Sequence, residues 1–126
     1  MHENEIATIV VDVAYKVHTV LGPGLLESVY EAAMAYEFDK RGVLYARQQY
    51  CQVSYEDVIL SHEGFRLDFL VESKVIVELK SVEKIAPVNA KTILTYLRLS
   101  KKKLALQINF GEGLIKDGIK RIVNGL

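Results

Sequence analysis

The stretch RLDFLVESKVIVELKS, residues 66–81, constrains the fold of this chain most, because it places charge inside two apolar strand patterns. Apolar residues flank a central Glu-Ser-Lys, which indicates two β-strands joined by a tight turn. Asp68, Glu78 and Lys80 interrupt the apolar runs. A charge buried in a strand is costly unless it is paired or bound to a metal. The hairpin is therefore either a sheet edge with a solvated face or a site that uses its charges.

The spacing of the charges allows two interpretations. Side chains alternate between the faces of a strand, so Glu78 and Lys80 share one face. If the turn centres on Ser73, Asp68 lies directly opposite Glu78 with Cβ atoms about 5 Å apart, and a divalent cation would turn their repulsion into coordination. A slip of one residue in the turn would instead leave all three charges on a solvated face, with Lys80 paired to Glu78 or Asp68. Such a short motif does not decide between the two.

Helical periodicity appears on both sides of the hairpin. Apolar residues at spacings of three and four predict helices over residues 4–21 and 25–41, the second ending at Gly42. Residues 89–100 repeat the pattern, with Asn89 as a candidate N-cap. The tail, residues 114–126, is ambiguous; its isoleucines suit a short helix, which Gly118 weakens.

β-Branched and aromatic residues predict the strands, and residues 57–64 are interpreted as a strand end and turn. The predicted strands are 44–56, 65–72, 74–80 and 103–110. The resulting order, α-α-β-β-β-α-β-α, predicts an α/β (α+β) fold in which helices flank a small mixed sheet.

Composition narrows the class of protein. The chain has 126 residues, of which 50% are hydrophobic and 25% charged, as expected for one globular domain over residues 1–126. Lys and Arg total 16, as do Asp and Glu, so a nucleic-acid partner would have to meet a local basic patch. The single cysteine, Cys51, cannot form an internal disulfide. Without a membrane-spanning apolar run or a signal-peptide pattern, we expect a soluble cytoplasmic protein with no membrane partner.

A second motif precedes the hairpin. The segment GLLESVYEAA holds Gly24, Glu27 and Tyr30 in a G-x-x-E-x-x-Y spacing, and residues three apart share a helix face. Together with RLDFLVE, VIVELKSVE, LTYLRL and KDGIKRIVN, this motif closely resembles the GxxExxY family, small bacterial and archaeal proteins assigned to the PD-(D/E)XK nuclease-like superfamily. The resemblance extends over nearly the whole chain.

The resemblance implies a restriction-endonuclease-like αβββαβ core, here with an extra N-terminal helix. It also implies that Asp68, Glu78 and the backbone carbonyl of Leu79 bind Mg²⁺ (or Mn²⁺), with Glu27 as an accessory helix carboxylate. Lys80 would position the attacking water, and no organic cofactor is implied. The chemistry would be metal-assisted hydrolysis of a phosphodiester.

The helix over residues 89–100 departs from the family pattern. Family members commonly carry a Gln four residues before the Tyr of the TYL block and a His a few residues earlier; here those positions are Thr92 and Asn89. Aromatic stacking and phosphate contacts would come from this helix and its neighbours, although core packing and solvent exposure are the competing interpretations. The candidate nucleic-acid contacts are Tyr30, Lys91, Thr92, Tyr96, Arg98, Lys101 and Lys102.

These observations favour a Mg²⁺-dependent nuclease that hydrolyses DNA, in repair, recombination or defence. The alternative is a catalytically weak or inactive nuclease-fold domain that binds nucleic acid or a protein partner; an unrelated small α/β binding domain would require the block matches to be coincidental. The nuclease hypothesis requires Glu27, Asp68, Glu78 and Lys80 to converge within reach of one ion. Because so small a chain rarely encloses a duplex alone, we also expect a homodimer.

Overall fold

The computed structural model describes residues 1–126 as a five-stranded mixed sheet with helices on both faces. The α-helices are α1 (Glu3–Leu21), α2 (Glu27–Arg41) and α3 (Val88–Ser100). The strands are β1 (Tyr45–Tyr55), β2 (Val58–Val71), β3 (Val75–Lys80), β4 (Leu104–Asn109) and β5 (Ile119–Val123). Their spatial order is β1-β2-β3-β4-β5, and only β3 and β4 run parallel. The predicted mixed sheet flanked by helices is confirmed.

Local signals explain where the first two helices begin and end. The His2 side chain accepts a hydrogen bond from the Asn4 amide, and the Glu5 side chain accepts one from the His2 amide, which completes a capping box for α1. Gly22 follows α1 at a φ of 75°, and Gly42 follows α2 at 69° in the left-handed conformation. Glycine adopts positive φ without a steric penalty, so both helices stop at these positions.

Two apolar clusters hold the helices to the sheet. The larger joins α1 and α2 to one face, through residues such as Val10, Met34 and Phe69. The smaller joins α3 to the sheet and consists of Leu67, Ile76, Ile93, Leu97, Ala105 and Ile122. Leu67 and Phe69 lie two residues apart on β2 and would share a face in a regular strand, yet they pack in different clusters. The alternation of β2 is therefore broken around Asp68.

The expected helix in the tail is wrong. Residues Ile115–Gly118 form a single 3₁₀ turn, and Ile119–Val123 form β5, which pairs antiparallel with β4. A Cβ at Gly118 would lie 2.3 Å from the Asn109 carbonyl oxygen, so the chain passes closely over the end of β4 there. The backbone groups of β4 would otherwise form an open edge, and pairing with β5 satisfies them.

Residues 58–64 are the beginning of a long strand, β2, and not the strand end and turn expected over residues 57–64. The hairpin reverses at Glu56 and Asp57, which have φ values of 51° and 65°, so β2 is 14 residues long. Residues 58–65 of β2 pair with β1 alone, because the β2–β3 ladder involves only 69–71 of β2. The far ends of β1 and β2 are therefore a two-stranded arm that projects beyond the sheet.

Asn89 does not cap α3. The helix is preceded by Pro87 as N-cap, and no side chain accepts a hydrogen bond from its first turn. Proline is preset for a helix start, since its φ is fixed and it has no N–H to satisfy. None of the helices combines the length and the apolar character that crossing a bilayer requires.

Candidate active site

The hairpin of β2 and β3 has the register in which two carboxylates face each other. Phe69 pairs with Val77, Leu70 with Ile76, and Val71 with Val75, so the turn centres on Ser73 as predicted. One step further along this register stand Asp68 and Glu78, but the backbone ladder stops before them. The two strands begin to separate at the point where the acidic side chains lie.

The carboxylates replace the missing ladder bonds. The Asp68 amide donates to Glu78 Oε1 at 3.3 Å, and the Leu79 amide donates to Asp68 Oδ2 at 2.8 Å. On its other side, β2 loses the pair between Asp68 and Gln48, whose φ is 51°, and Gln48 Nε2 donates to Asp68 Oδ1 at 3.4 Å. Asp68 therefore lies where the sheet opens towards both neighbouring strands.

Burial and repulsion shape the charge state of Glu78. Burial, and then the negative charge of Asp68, raise the pKa of Glu78 to about 8, while Lys80 acts in the opposite direction. Lys80 is half-buried and is absent from the four salt bridges of the molecule. The alternative in which Lys80 is paired to Glu78 or Asp68 is therefore not what the structure contains.

The donor set of the pair fits a divalent cation. Two carboxylates held side by side, with the backbone of Leu79 beside them, offer the hard oxygen ligands that Mg²⁺ and Mn²⁺ prefer. A cation would also relieve the repulsion that contributes to the raised pKa of Glu78. The set is small, because no group of three or more Asp, Glu, His or Cys side chains is placed to hold one metal ion.

Glu27 approaches this pair without joining it. It is the exposed first residue of α2, and it lines a cavity of about 270 Å³ that also contains Asp68 and Leu79. The other lining residues are Ser28, Glu31, Gln48 and Arg66. The structure thus brings Glu27 and Asp68 to one cavity, whereas Glu78 contacts that cavity only through its hydrogen bond with Asp68.

A family model for the PD-(D/E)XK nuclease superfamily matches residues 4–122. The chain belongs to this superfamily. Among solved structures, an alkaline exonuclease from Laribacter hongkongensis aligns with 98% of this chain and 82% of its own, at 14% sequence identity and a TM-score of 0.46. No curated protein sequence matches the chain. Membership of the superfamily, together with the five-stranded mixed sheet and its flanking helices, identifies the fold as the restriction-endonuclease-like one, with α1 as the additional N-terminal helix.

Tyr30, a predicted nucleic-acid contact of this PD-(D/E)XK chain, is instead a core residue. Its relative exposure is 0%, and its ring stacks on Phe110 with centroids 4.3 Å apart. Its hydroxyl donates to the Gly22 carbonyl at 2.6 Å and accepts from the Leu25 amide at 3.0 Å. The hydroxyl thereby fastens the loop before α2, and the buried ring is not available to stack on a base.

Tyr96 and Thr92 lie on α3, and Tyr96 lies close enough to the carboxylates for their charges to act on it. Tyr96 is half-buried and stacks on Phe65 at 4.5 Å, and burial and then the charges of Glu78 and Asp68 raise the pKa of its hydroxyl. Thr92, one turn earlier, shares the face of Tyr96 and is exposed. Its Oγ1 donates to the Val88 carbonyl at 3.2 Å, and Lys91 is exposed beside it.

The remaining predicted contacts lie at the far end of α3. Arg98 and Lys101 are exposed and Lys102 is half-buried, and none of the three forms a salt bridge. Lys101 ends the helix at a φ of 58°. These cations begin about two turns after Lys91 along the helix, so they are separated from Lys91 and are not one compact patch with it.

Sequence reasoning missed three residues that surround the site. Glu31, one turn after Glu27 on α2, receives hydrogen bonds from Gln48 and from Arg47, the latter a salt bridge of 3.0 Å. Helical spacing alone would have placed Glu31 beside Glu27. Gln48 had no comparable signal, because its contact with Asp68 depends on its positive φ. Gln107 faces Glu78 across the β3–β4 pair, which only the sheet order reveals.

Proposed function

We propose that this PD-(D/E)XK chain is a divalent-metal-dependent nuclease that hydrolyses DNA phosphodiester bonds, and that residues 1–126 act as one domain. The observation that carries the proposal is the Asp68–Glu78 pair, held by backbone amides where the sheet opens. We assign Asp68, Glu78 and the Leu79 carbonyl to Mg²⁺ or Mn²⁺, with Glu27 reaching in from the start of α2. A purely structural role in the sheet does not account for two adjacent, half-buried carboxylates, because like charges placed side by side destabilise a sheet.

Asp68 and Lys80 each have a defined task in this proposal. Asp68 is fixed by the amide of Leu79 and by Gln48, so its carboxylate is presented without rotamer freedom. Lys80 lies on the face of Glu78 and has no acidic partner, which leaves its ammonium to hold a water or a phosphate oxygen. The bound cation would supply Lewis-acid polarisation of the phosphate and a water of lowered pKa.

The proposals on family group, nucleic-acid contacts, biological process and oligomeric state rest on sequence motifs and on the small size of the chain. Gly24, Glu27 and Tyr30 support membership of the GxxExxY group within the superfamily. We assign Tyr96, Thr92, Lys91 and the cations Arg98, Lys101 and Lys102 to the nucleic acid, in a repair, recombination or defence process, and we propose a homodimer. The charges of Glu78 and Asp68 contribute to the raised pKa of the Tyr96 hydroxyl, which supports a position of Tyr96 close to the pair.

Cleavage assays test the proposal directly. The protein is incubated with plasmid, single-stranded and branched DNA in Mg²⁺, in Mn²⁺ and in chelator. We expect Glu78→Ala and Lys80→Ala to lower the rate by about 100-fold or more. Glu83→Ala and Lys116→Ala make the same charge changes at exposed positions and should cut like wild type. Equal background cleavage by wild type and both site variants would contradict the catalytic assignment.

Binding without cleavage is the second candidate function. It is favoured by the absence of a three-residue metal cluster and by Thr92 at the position where relatives carry a Gln. A chain of this kind would retard DNA on a gel equally with and without Mg²⁺ and would leave every substrate intact. Cleavage that depends on Glu78 excludes this candidate.

A further inference from the structure

A second cavity, of about 370 Å³, lies at the carboxyl ends of the parallel strands β3 and β4. It is enclosed by the loop between β3 and α3, the first turn of α3 and the start of β5. It shares no lining residue with the cavity of Asp68. In open α/β sheets, the crevice beyond the carboxyl ends of parallel strands is a common position for ligands.

One buried amide in this cavity has no partner. Gln107 is 2% exposed, lines the cavity and faces Glu78 across the β3–β4 pair, and its Nε2 makes no hydrogen bond. Asn109, two residues on, differs: its Oδ1 accepts from the amides of Val82 and Gly111, and its Nδ2 donates to the Val82 carbonyl at 2.9 Å. A buried donor without an acceptor is costly and calls for a ligand that supplies one.

The N-terminus of α3 adds a second source of attraction for an anion. Ala86, Pro87 and Ala90 line the cavity, so the first turn of this 13-residue helix borders it. That turn has no capping side chain and no acidic residue. The Asn89 amide already donates to the Ala86 carbonyl, and the remaining amides of the turn, with the positive end of the helix dipole, are open to a negatively charged group.

The charged side chains of the cavity are of both signs. Lys84 and Lys120 line it together with Glu112 and Asp117. A bare anion would meet two carboxylates as well as two ammonium groups. A ligand with one anionic group and several hydrogen-bond donors satisfies both halves of the lining, because the donors can face the carboxylates.

We propose that this cavity binds a nucleotide. Its phosphate would accept hydrogen bonds from the first turn of α3, Lys84 and Gln107 Nε2, while sugar hydroxyls and base amino groups would donate to Glu112 and Asp117. The ligand class rests on the proposed nuclease function, since Gln107 is one strand away from Glu78 and both side chains lie on one face of the sheet. Two sources share this chemistry: a free deoxynucleoside monophosphate and the terminal nucleotide of a DNA strand.

The side-chain amide of Gln107 reports occupancy directly. In chelator, ¹⁵N-labelled protein is titrated with deoxynucleoside monophosphates, with the matching unphosphorylated nucleosides, and with inorganic phosphate. The monophosphates should shift the Gln107 Nε2–H resonances at the lowest concentration. No shift at millimolar monophosphate would overturn the site, and phosphate binding as tightly as the nucleotide would overturn the nucleotide assignment.

Calorimetry on variants separates the contacts. Gln107→Met keeps the size of the side chain and removes the donors, so monophosphate affinity should fall about 10-fold or more. Lys84→Ala, in an exposed loop where folding is not at risk, should weaken binding several-fold, whereas Lys116→Ala lies outside the cavity and should match wild type. Wild-type affinity in both Gln107→Met and Lys84→Ala would overturn the proposal.

Terminally phosphorylated and unphosphorylated oligonucleotides identify the source of the nucleotide. An oligonucleotide that shifts the Gln107 amide only when phosphorylated assigns the site to strand ends; a shift by monophosphates alone assigns it to free nucleotides. Nucleotide binding in a protein that cuts no DNA would keep this site and contradict the nuclease proposal. Cleavage of DNA without any shift of the Gln107 amide would support the nuclease proposal and contradict the nucleotide site.

Discussion

At the scale of single residues, the candidate site depends on two hydrogen bonds made by Asp68. Asp68 Oδ2 accepts the Leu79 amide, and the Asp68 amide in turn donates to Glu78. Both hydrogen bonds stand where backbone ladder bonds would stand in a regular sheet. The carboxylates are thus part of the β2–β3 contact as well as the candidate ligands, which explains how the fold keeps two negative charges together.

Glu78 predicts a pH dependence of folding. Burial and the charge of Asp68 raise the pKa of Glu78 from 4.5 to about 8, so the folded chain binds this proton more tightly than the unfolded chain. The resulting stability is fully present below the unfolded pKa and is lost as the pH rises through about 8. One pKa unit corresponds to about 1.4 kcal/mol, and we expect a loss of about 2 kcal/mol or more from pH 5 to 8.5.

Urea denaturation in chelator at pH 5, 6.5 and 8.5 measures this loss. Glu78→Gln cannot ionise and should flatten the pH dependence, while Glu83→Gln, at an exposed position, should reproduce the wild-type slope. A wild-type free energy of unfolding that does not change over this range would show that the pair is not desolvated.

Thr92 offers a gain-of-function test. It is exposed, lies one turn before Tyr96, and stands where the resemblance to the GxxExxY family implies a Gln. Thr92→Gln should raise the Mg²⁺-dependent cleavage rate by about 10-fold, since one well-placed polar contact in a transition state contributes at least that much. Thr95→Gln is the matched control, because Thr95 is exposed and its Oγ1 also bonds a carbonyl four residues earlier. A Thr92→Gln rate no higher than that of Thr95→Gln would contradict the assignment.

At the scale of elements, the start of α2 is positioned by the core. Tyr30 is buried against Phe110 of the segment after β4 and reaches back to Gly22 and Leu25. The loop that carries Glu27 towards the cavity is therefore anchored by a residue three positions later on the same helix. The G-x-x-E-x-x-Y spacing acquires a structural basis: Tyr30 holds the loop, and Glu27 points into the cavity it helps to line.

Removing the Tyr30 hydroxyl tests this anchor. Tyr30→Phe leaves the ring but takes away both hydrogen bonds, so the free energy of unfolding should fall by about 1–3 kcal/mol. Tyr36→Phe, at a position 63% exposed, should change stability little. Chemical denaturation of both variants gives the comparison. A Tyr30→Phe variant as stable as wild type would contradict the role of the hydroxyl as an anchor.

The elements also show what the sequence could and could not predict. The hairpin register followed from Glu-Ser-Lys at its centre, and the helices α1 and α2 from apolar spacing and glycine stops. The β2 arm was missed because its reversal uses positive φ at two consecutive residues, Glu56 and Asp57, without a glycine to signal it. The tail was missed because Ile115, Ile119 and Ile122 suit either period, and only the open edge of β4 selects the strand.

Only the part of the candidate site that lies within one hairpin was predicted from the sequence. Asp68, Glu78 and Lys80 belong to one hairpin, so local register suffices to relate them. Gln48, Glu31 and Gln107 reach the site from other elements, and their positions depend on a positive φ, a helix docking and a strand order. Sequence patterns that act over a few residues carry no information about such contacts.

At the scale of the whole molecule, the chain is small and electrically neutral. Equal numbers of basic and acidic residues give no long-range attraction to DNA, so binding must come from local cations such as Arg98 and Lys101. Neutral molecules also do not repel each other strongly. Apolar side chains remain exposed on α1 and on the loop into α2, including Val20 at 71% and Leu26 at 74%.

We expect a homodimer in solution. Light scattering coupled to size exclusion should give a mass near twice the 14.2 kDa of one chain. If exposed apolar surface drives the association, the dimer should persist in high salt, because only charge contacts are screened there. A mass of one chain at high protein concentration would contradict the dimer.

The bond from the Leu79 amide to Asp68 has a consequence for how loss of function is interpreted. Asp68→Ala removes a charge and at the same time deprives a strand-end N–H of its acceptor. Asp68→Asn removes only the charge and keeps an oxygen in place. The difference between these two variants separates the electrostatic share of any lost activity from the share caused by local loosening of the sheet. A ligand that draws Asp68 away from the Leu79 amide loses part of its binding free energy, because the end of β3 loses a hydrogen bond. Ligand affinity and the ordering of the end of β3 are therefore thermodynamically coupled.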